Sequence, residues 1–294
     1  MKKNNQYFLA ALLTSSAALS LFSCKEIGPV IKLKDQGVGK VLIDSSWVTS
    51  SIEAPQDKVV LLEDFTGVQC SNCPNGHATA ASLKAANPGR VIGVALHSYL
   101  LADPYPFSRF DLKSEKAEQI NSTFGPAPAK PTGMVNRKVF AGETSKIYFI
   151  SKWSSFVSSE LAGTSPVNID ITNNFNESSR ELEMQMKVHF TAEYTNPLRY
   201  SIYLVENEIV TAQLLPDLSK DTNYVHNDVM RDVLSSITGD NFAQNTYEKG
   251  RTYLKSFVYS IPEDLDPEHT EIVVFVHRFG GVDEVIQAAV KNIK

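Results

Sequence analysis

Residues 59–62 (Val-Val-Leu-Leu) form an uninterrupted apolar run, and Val91, Ile92, Val94, Ala95 and Leu96 form a second. Runs this short and this apolar predict strands covered on both faces. Between them, residues 71–86 are rich in alanine and stop at Asn87, Pro88 and Gly89, which predicts a helix closed by its own breakers. At about 100° per residue, Leu112, Ala117, Ile120 and Phe124 share an arc of roughly 140°, with Lys113, Glu115, Lys116 and Glu118 between them. An amphipathic helix over 111–124 follows. Strand, helix, strand, helix predicts a parallel sheet with crossover connections.

After prolines 126, 128 and 131, residues 133–140 read as a hairpin turning at Asn136 and Arg137, followed by a helix over 144–161. Gly163, Thr164, Ser165 and Pro166 then punctuate the chain, and the period changes to two: Val167, Ile169, Ile171, then Leu182, Met184, Met186, Val188, Phe190. Further strands are expected over 200–205, 253–261, 271–278 and 284–293, with one helix over 227–237. Spaced alternating strands with polar turns predict an antiparallel β-sandwich of immunoglobulin-like type. The expected plan is residues 1–23 as a signal, 24–57 as a tether with one or two strands, 58–162 as an α/β unit and 163–294 as the sandwich.

Charge and cysteine usage narrow the function. Lys2 and Lys3 precede an apolar stretch from Tyr7 to Phe22 that is interrupted by Thr14, Ser15, Ser16 and Ser20. That layout predicts a secretory signal, too short and too serine-rich to remain as a membrane-spanning helix. The segment Leu21-Phe22-Ser23-Cys24 resembles a bacterial lipobox, which implies cleavage before Cys24, lipidation of its thiol and attachment to a membrane through the N-terminal lipid. Lys25 and Glu26 are similar to the start of the surface-export signal of Bacteroidetes lipoproteins, a pattern that Ile27 breaks. The formal charge of −5, with no long basic run, gives no electrostatic basis for nucleic acid binding.

Cys70 and Cys73 are the two remaining cysteines, at a Cys-x-x-Cys spacing; in an oxidising envelope they are expected to be bonded to each other. One such motif cannot supply four zinc ligands, and the six histidines are scattered, so neither a metal nor another cofactor is expected. The apolar strand running into the motif and the helix running out of it place Cys70 near a helix N-terminus. Backbone N–H groups there favour a thiolate. Pro74 suits an early helical position.

Around these cysteines the sequence resembles the thioredoxin-like family over roughly residues 58–161. Asp64, six residues before Cys70, is similar to that family's buried aspartate, and Pro131-Thr132 to its cis proline followed by threonine. The resemblance implies that Cys70 attacks, that Cys73 resolves the mixed disulfide and that Asp64 takes or relays a proton with a raised pKa. It also implies that Lys130, Pro131 and Thr132 present backbone to an extended substrate. Gln69 stands where the family usually has tryptophan, and Ser71-Asn72 where it usually has Gly-Pro. The partners expected are protein thiols or disulfides of the envelope; the oligomeric state is left open.

Each of these residues has a plainer reading. The cysteine pair also reads as a structural staple, Asp64 as a surface acid, and His77 and His97 as a solvated helix residue and a strand-end residue. Residues 100–110, rich in aromatic residues and proline, read as a lid over the site or as a packed loop. Residues 224–232, with His226, Asn227, Asp228 and Arg231, read as a capped helix bearing a surface ion pair. The whole chain, from lipoprotein signal through the Cys-x-x-Cys unit to the β-rich half, resembles the Omp28-related outer-membrane lipoproteins of Bacteroidetes. Two functions follow. One is a lipid-anchored thiol-disulfide oxidoreductase of the outer membrane; the other is a binding or adhesion lipoprotein in which the same unit is only a scaffold.

Overall fold

The computed structural model describes residues 34–35 and 40–294. The signal, Cys24 and most of the tether lie outside these residues. The chain begins with β1 (Lys34–Asp35) and β2 (Lys40–Val48), then β3 (Val60–Thr66), α1 (Cys73–Ala86), β4 (Val91–His97) and α2 (Glu115–Phe124). Next come β5 (Thr132–Val135), β6 (Tyr148–Phe149) and α3 (Trp153–Leu161). The remainder is β structure: β7 (Val167–Asn176), β8 (Glu181–Phe190), β9 (Leu198–Glu206), β10 (Ile209–Leu214), β11 (Lys220–His226), β12 (Val229–Val233), β13 (Asp240–Asn241), β14 (Arg251–Ser260), β15 (Thr270–Arg278) and β16 (Val285–Asn292).

The architecture corrects the expected fold class. An α/β thioredoxin-like domain followed by a separate immunoglobulin-like sandwich requires the two halves of the chain to form their own sheets. Instead a nine-stranded mixed sheet runs in the order β16-β15-β9-β12-β4-β3-β5-β6, with β13 added on β9, so strands from both halves hydrogen-bond in one layer. The junction is the pairing of β12 with β4, where Val229 lies opposite Ala95. The molecule is mainly β, with three short α-helices among the described residues. A five-stranded antiparallel sheet, β1-β2-β14-β8-β7, packs its apolar face on β9, β15 and β16 around Met184, Met186, Val188, Ile202, Val274 and Ile286.

Local pattern predicted the central strands well. All seven residues of β3 and all seven of β4 are buried, and the two strands are parallel. They need cover on both faces, and they have it. Leu61, Phe65, Val94 and Leu96 pack on Ala117, Ile120 and Phe124 of α2, while Val60, Leu62 and Val91 pack on Ala80 of α1 and Trp153 and Val157 of α3. Ser114 caps α2 by accepting from the Ala117 N–H at 3.4 Å.

Three expected elements are replaced. Residues 133–140 do not form a hairpin: β5 pairs with β3 and with β6, and Asn136 and Arg137 both take left-handed backbone (φ 47° and 50°) that turns Arg137 into the core. The expected helix over 144–161 is broken, beginning as β6 and a short 3-10 turn (Ile150–Lys152) before α3. The expected helix over 227–237 is β12, because Asp228 adopts φ 60° and releases the chain into pairing with β9. The ribbon of β10 and β11 had no sequence counterpart.

Candidate functional site

Side chains alternate along β3, so Val60 and Leu62 face α1 while Leu61 and Phe65 face α2. Asp64 therefore lies on the α1 face and Glu63 on the other. The two neighbouring acids meet opposite fates. Glu63 accepts two hydrogen bonds from Arg137, Nε to Oε2 at 2.7 Å and Nη2 to Oε1 at 2.6 Å. The Asp64 Oδ1, equally buried, has no partner. Burial pushes the Asp64 carboxyl up to about 8; Asp228 adds to the shift and Lys130 opposes it.

Beyond Thr66 the chain turns sharply at Gly67, where a Cβ would stand 2.3 Å from the Leu101 carbonyl oxygen, too close for any other residue. The Cys70 N–H donates to the Gly67 carbonyl at 3.0 Å and the Cys73 N–H to that of Cys70 at 3.2 Å. Cys70 thus sits in the turn leading into α1, and Cys73 is its first helical residue. The two are disulfide-bonded, with Cα atoms 5.3 Å apart. One turn on, Gly76 lets the helix close over the acid. A Cβ there would lie 3.4 Å from the Asp64 Oδ2 and 3.0 Å from the Pro131 Cβ. Asp64, the first turn of α1 and Pro131 are therefore neighbours, and the Lys130–Pro131 peptide is cis.

The structure gives the other expected residues more specific positions. Thr132 has both backbone edges occupied, by Phe65 of β3 and Phe149 of β6, whereas Lys130 and Pro131 lie outside the ladder. Lys130 donates from Nζ to the carbonyls of Ser98 and of Leu100, tying the proline segment to the loop after β4. Burial lowers its ammonium pKa to about 8 against the pull of Asp64.

That loop, residues 98–111, and the β10-β11 ribbon cover the disulfide, leaving Cys70 3% and Cys73 0% exposed. The Leu214 N–H donates to the Val68 carbonyl at 2.8 Å, and the Gln213 Nε2 to the Cys70 carbonyl at 3.1 Å. The N–H groups of Arg109 and Phe110 donate to the Thr211 Oγ1, and Val68, Leu112, Ile209 and Val229 form a small apolar plug. Between a lid and a packed loop, the 98–111 segment is held down by these bonds and by buried Ser98, Ala102 and, just beyond it, Leu112, while Tyr99, Leu100, Leu101, Phe107 and Phe110 are exposed.

Three of the histidines that looked scattered come together here. His77 of α1, His97 at the end of β4 and His226 at the end of β11 have ring centroids 6.1 Å (77 to 226) and 5.7 Å (97 to 226) apart. His77 bonds to the Thr66 Oγ1 at 2.8 Å and to the Tyr224 Oη at 2.9 Å. His97 and His226 are buried, with no partner on either ring nitrogen. Their convergence has no local signal, because it depends on the ribbon folding back across the sheet. Of the 224–232 reading, the helix is absent, and Arg231 pairs with the buried Glu206 at 2.7 Å and with the exposed Asp264 at 2.9 Å.

The fold and site define a mainly β protein built on one sheet shared by both halves of the chain, with a disulfide at the entrance to its first helix. The chain belongs to the outer membrane protein Omp28 family, whose pattern it matches over residues 117–294, and this places it as an outer-membrane protein. The matched span begins within α2, so Asp64, Cys70 and Cys73 precede it. Among solved structures it is similar to HBP35 of Porphyromonas gingivalis, at 20% identity and a TM-score of 0.62 over 82% of this chain and 77% of that one. A protein of Agrobacterium tumefaciens aligns at 14% identity and a TM-score of 0.49, over 81% of this chain and 96% of that one. No curated protein matches the chain. Among the described residues no helix is long and apolar enough to cross a membrane.

Proposed function

We propose that Cys70 and Cys73 form a redox-active disulfide that exchanges with protein thiols of the envelope, on a chain anchored to the outer membrane through lipid on Cys24. The observation that carries the redox reading is the unpartnered Asp64 carboxyl buried beside the first turn of α1. Below pH about 8 this group keeps its proton. In the forward step a substrate thiolate attacks the Cys70 Sγ, the Cys70–Cys73 bond breaks, and Cys73 leaves as a thiolate that takes the Asp64 proton. A second substrate thiol then displaces Cys70, leaving the substrate oxidised and the pair reduced. The reverse sequence reduces a substrate disulfide. Lys130 and Pro131 flank the site as the segment free to meet an extended substrate, and movement of the 98–111 loop exposes Cys70.

Trapping tests this reading. A Cys73→Ser variant is expected to accumulate dithiothreitol-sensitive adducts on Cys70, absent from Cys70→Ser; no adduct, with insulin-reduction rates equal in wild type and Cys70→Ser, removes the redox reading. Separately, the lipid anchor predicts that an alkynyl palmitate label enters the wild-type protein in cells and not Cys24→Ala.

The covering of both sulfurs favours a second reading, a non-catalytic binding protein of the outer membrane in which the disulfide only holds the turn into α1. It predicts that Cys70→Ser and Cys73→Ser leave the cellular phenotype unchanged, whereas residues of the matched 117–294 span do not.

A further inference from the structure

We propose that the β10-β11 ribbon is an acid-released cover over the Cys70–Cys73 disulfide, held shut by the packing of His226 against His77 and His97. The release is a property of the fold. Its consequence, faster exchange at Cys70 in acid, rests on the redox reading above.

The ribbon is hinged. Its two strands form a sheet of their own, separate from the two large ones, and a two-stranded ribbon by itself is only marginally stable. Both of its ends pass through one point: Glu208 and Asp228 each take left-handed backbone, both at φ 60°. The Asn227 Oδ1 accepts from the Glu208 N–H at 3.1 Å and the Asn207 Oδ1 from the Asp228 N–H at 2.9 Å, so the two ends are tied to each other. Beyond this hinge the ribbon is held by Leu214 on Val68, Gln213 on Cys70, Ile209 in the apolar plug, Tyr224 on His77, and the histidine contact. Lifting it also takes the Thr211 Oγ1 from the Arg109 and Phe110 N–H groups, which frees one anchor of the 98–111 loop.

The histidines make closure depend on protons. His226 comes from the ribbon, His77 from α1 and His97 from β4, and among the described residues neither ring nitrogen of His97 or of His226 has a partner. The charged groups around them do not favour an imidazolium. Lys130 and the other two rings repel a charge on His97. Asp64 of β3 and Asp228 of β12 line the same cavity as His77 and Tyr224, but Asp64 is protonated below about 8 and Asp228 is ion-paired with Lys84. In the closed form burial holds His77 at about 4, His226 at about 3 and His97 well below its ordinary value. A histidine in water titrates near 6.5, so the open form binds more protons. Closure is full above about pH 7 and is lost as pH falls from about 6.5 towards 4. Each histidine that reaches water multiplies the open population about 30-fold between pH 7.5 and 5.0.

The test measures how fast tris(carboxyethyl)phosphine, which works in acid, reduces the disulfide of the full chain, with oxidised glutathione in the same tube as the exposed reference. The rate relative to glutathione is expected to rise at least tenfold from pH 7.5 to 5.0, and by much less in His226→Phe, which keeps a buried ring and cannot be protonated. Should that variant fail to fold, hydrogen exchange on the wild type still decides the matter. At pH 5.0 the protection factors of the Leu214, Arg109 and Phe110 amides should fall at least tenfold while those of β3 and β4 hold. A relative rate that does not change with pH, a rise undiminished in His226→Phe, or protection lost equally from β3 and β4 overturns the cover. Ribbon release without adducts on Cys73→Ser would instead remove the exchange chemistry and leave the cover standing.

Discussion

Arg137→Ala is expected to lower stability by about 3–5 kcal/mol, which for a chain of this size moves the thermal midpoint by roughly 10 °C. The guanidinium is 1% exposed; its Nε and Nη2 donate to Glu63 in bidentate geometry and Nη2 also to the Tyr203 Oη at 2.7 Å, while Nη1 has no partner. Its carbon also stands 3.9 Å over the Phe124 ring. Burial works against the charge, yet Glu63 raises its pKa further. Removing Arg137 leaves Glu63 charged and unpaired in the core, on the strand that carries Asp64. The double variant Glu63→Leu with Arg137→Met is expected to regain most of the loss, since it removes both charges. Urea melts of the three proteins check this, and a double variant no better than Arg137→Ala would mean that backbone turning at Asn136 and Arg137 matters more than charge.

Asp64→Asn should change how stability depends on pH. The carboxyl titrates near 3.8 in the unfolded chain and at about 8 in the fold, so between those values the folded state holds the extra proton. Stability contributed by this group is full below about pH 4, declines as pH rises and is gone above about pH 8. Across that window the loss is on the order of a few kcal/mol. The asparagine variant lacks the decline. It should gain on wild type steadily from pH 4 to 8 and run parallel above that. Chemical melts at half-unit pH intervals measure the difference; parallel curves throughout would show that Asp64 is ionised in the fold. If the exchange chemistry holds, the same variant releases trapped substrate more slowly at neutral pH.

Where short-range pattern suffices, the sequence was informative. The runs at 59–62 and 91–96 gave β3 and β4, the arc of Leu112, Ala117, Ile120 and Phe124 gave α2, and the period of two beyond Val167 gave β7, β8, β14, β15 and β16 within a few residues. Asp64 was named from its register on Cys70 and Pro131 from the family's proline-threonine pair, and the structure sets both against the first turn of α1.

The failures come from long-range pairing. Nothing near Val229 shows that it will lie opposite Ala95, and that one contact joins two expected domains into one sheet. The 209–226 ribbon is amphipathic only against its covering partners, Val68 and Leu112 for Ile209 and Thr211 for the 109–110 backbone. His77 and His97 looked ordinary because His226 is distant in sequence.

The shared sheet also governs when the molecule can mature. Lys58, just ahead of β3, donates from Nζ to the Val285 carbonyl at 3.0 Å, and the Gln287 side chain bonds the backbone of Asp57 and Val59. A chain made from its N-terminus has β3 and β4 early, yet their flank stays open until residues 229–233 have been synthesised, and their base until 285–287. Such sequence-distant closures are slow, and unpaired strand edges attract other chains meanwhile. Until its final strand arrives, a chain with this topology leaves the edge of its central sheet open.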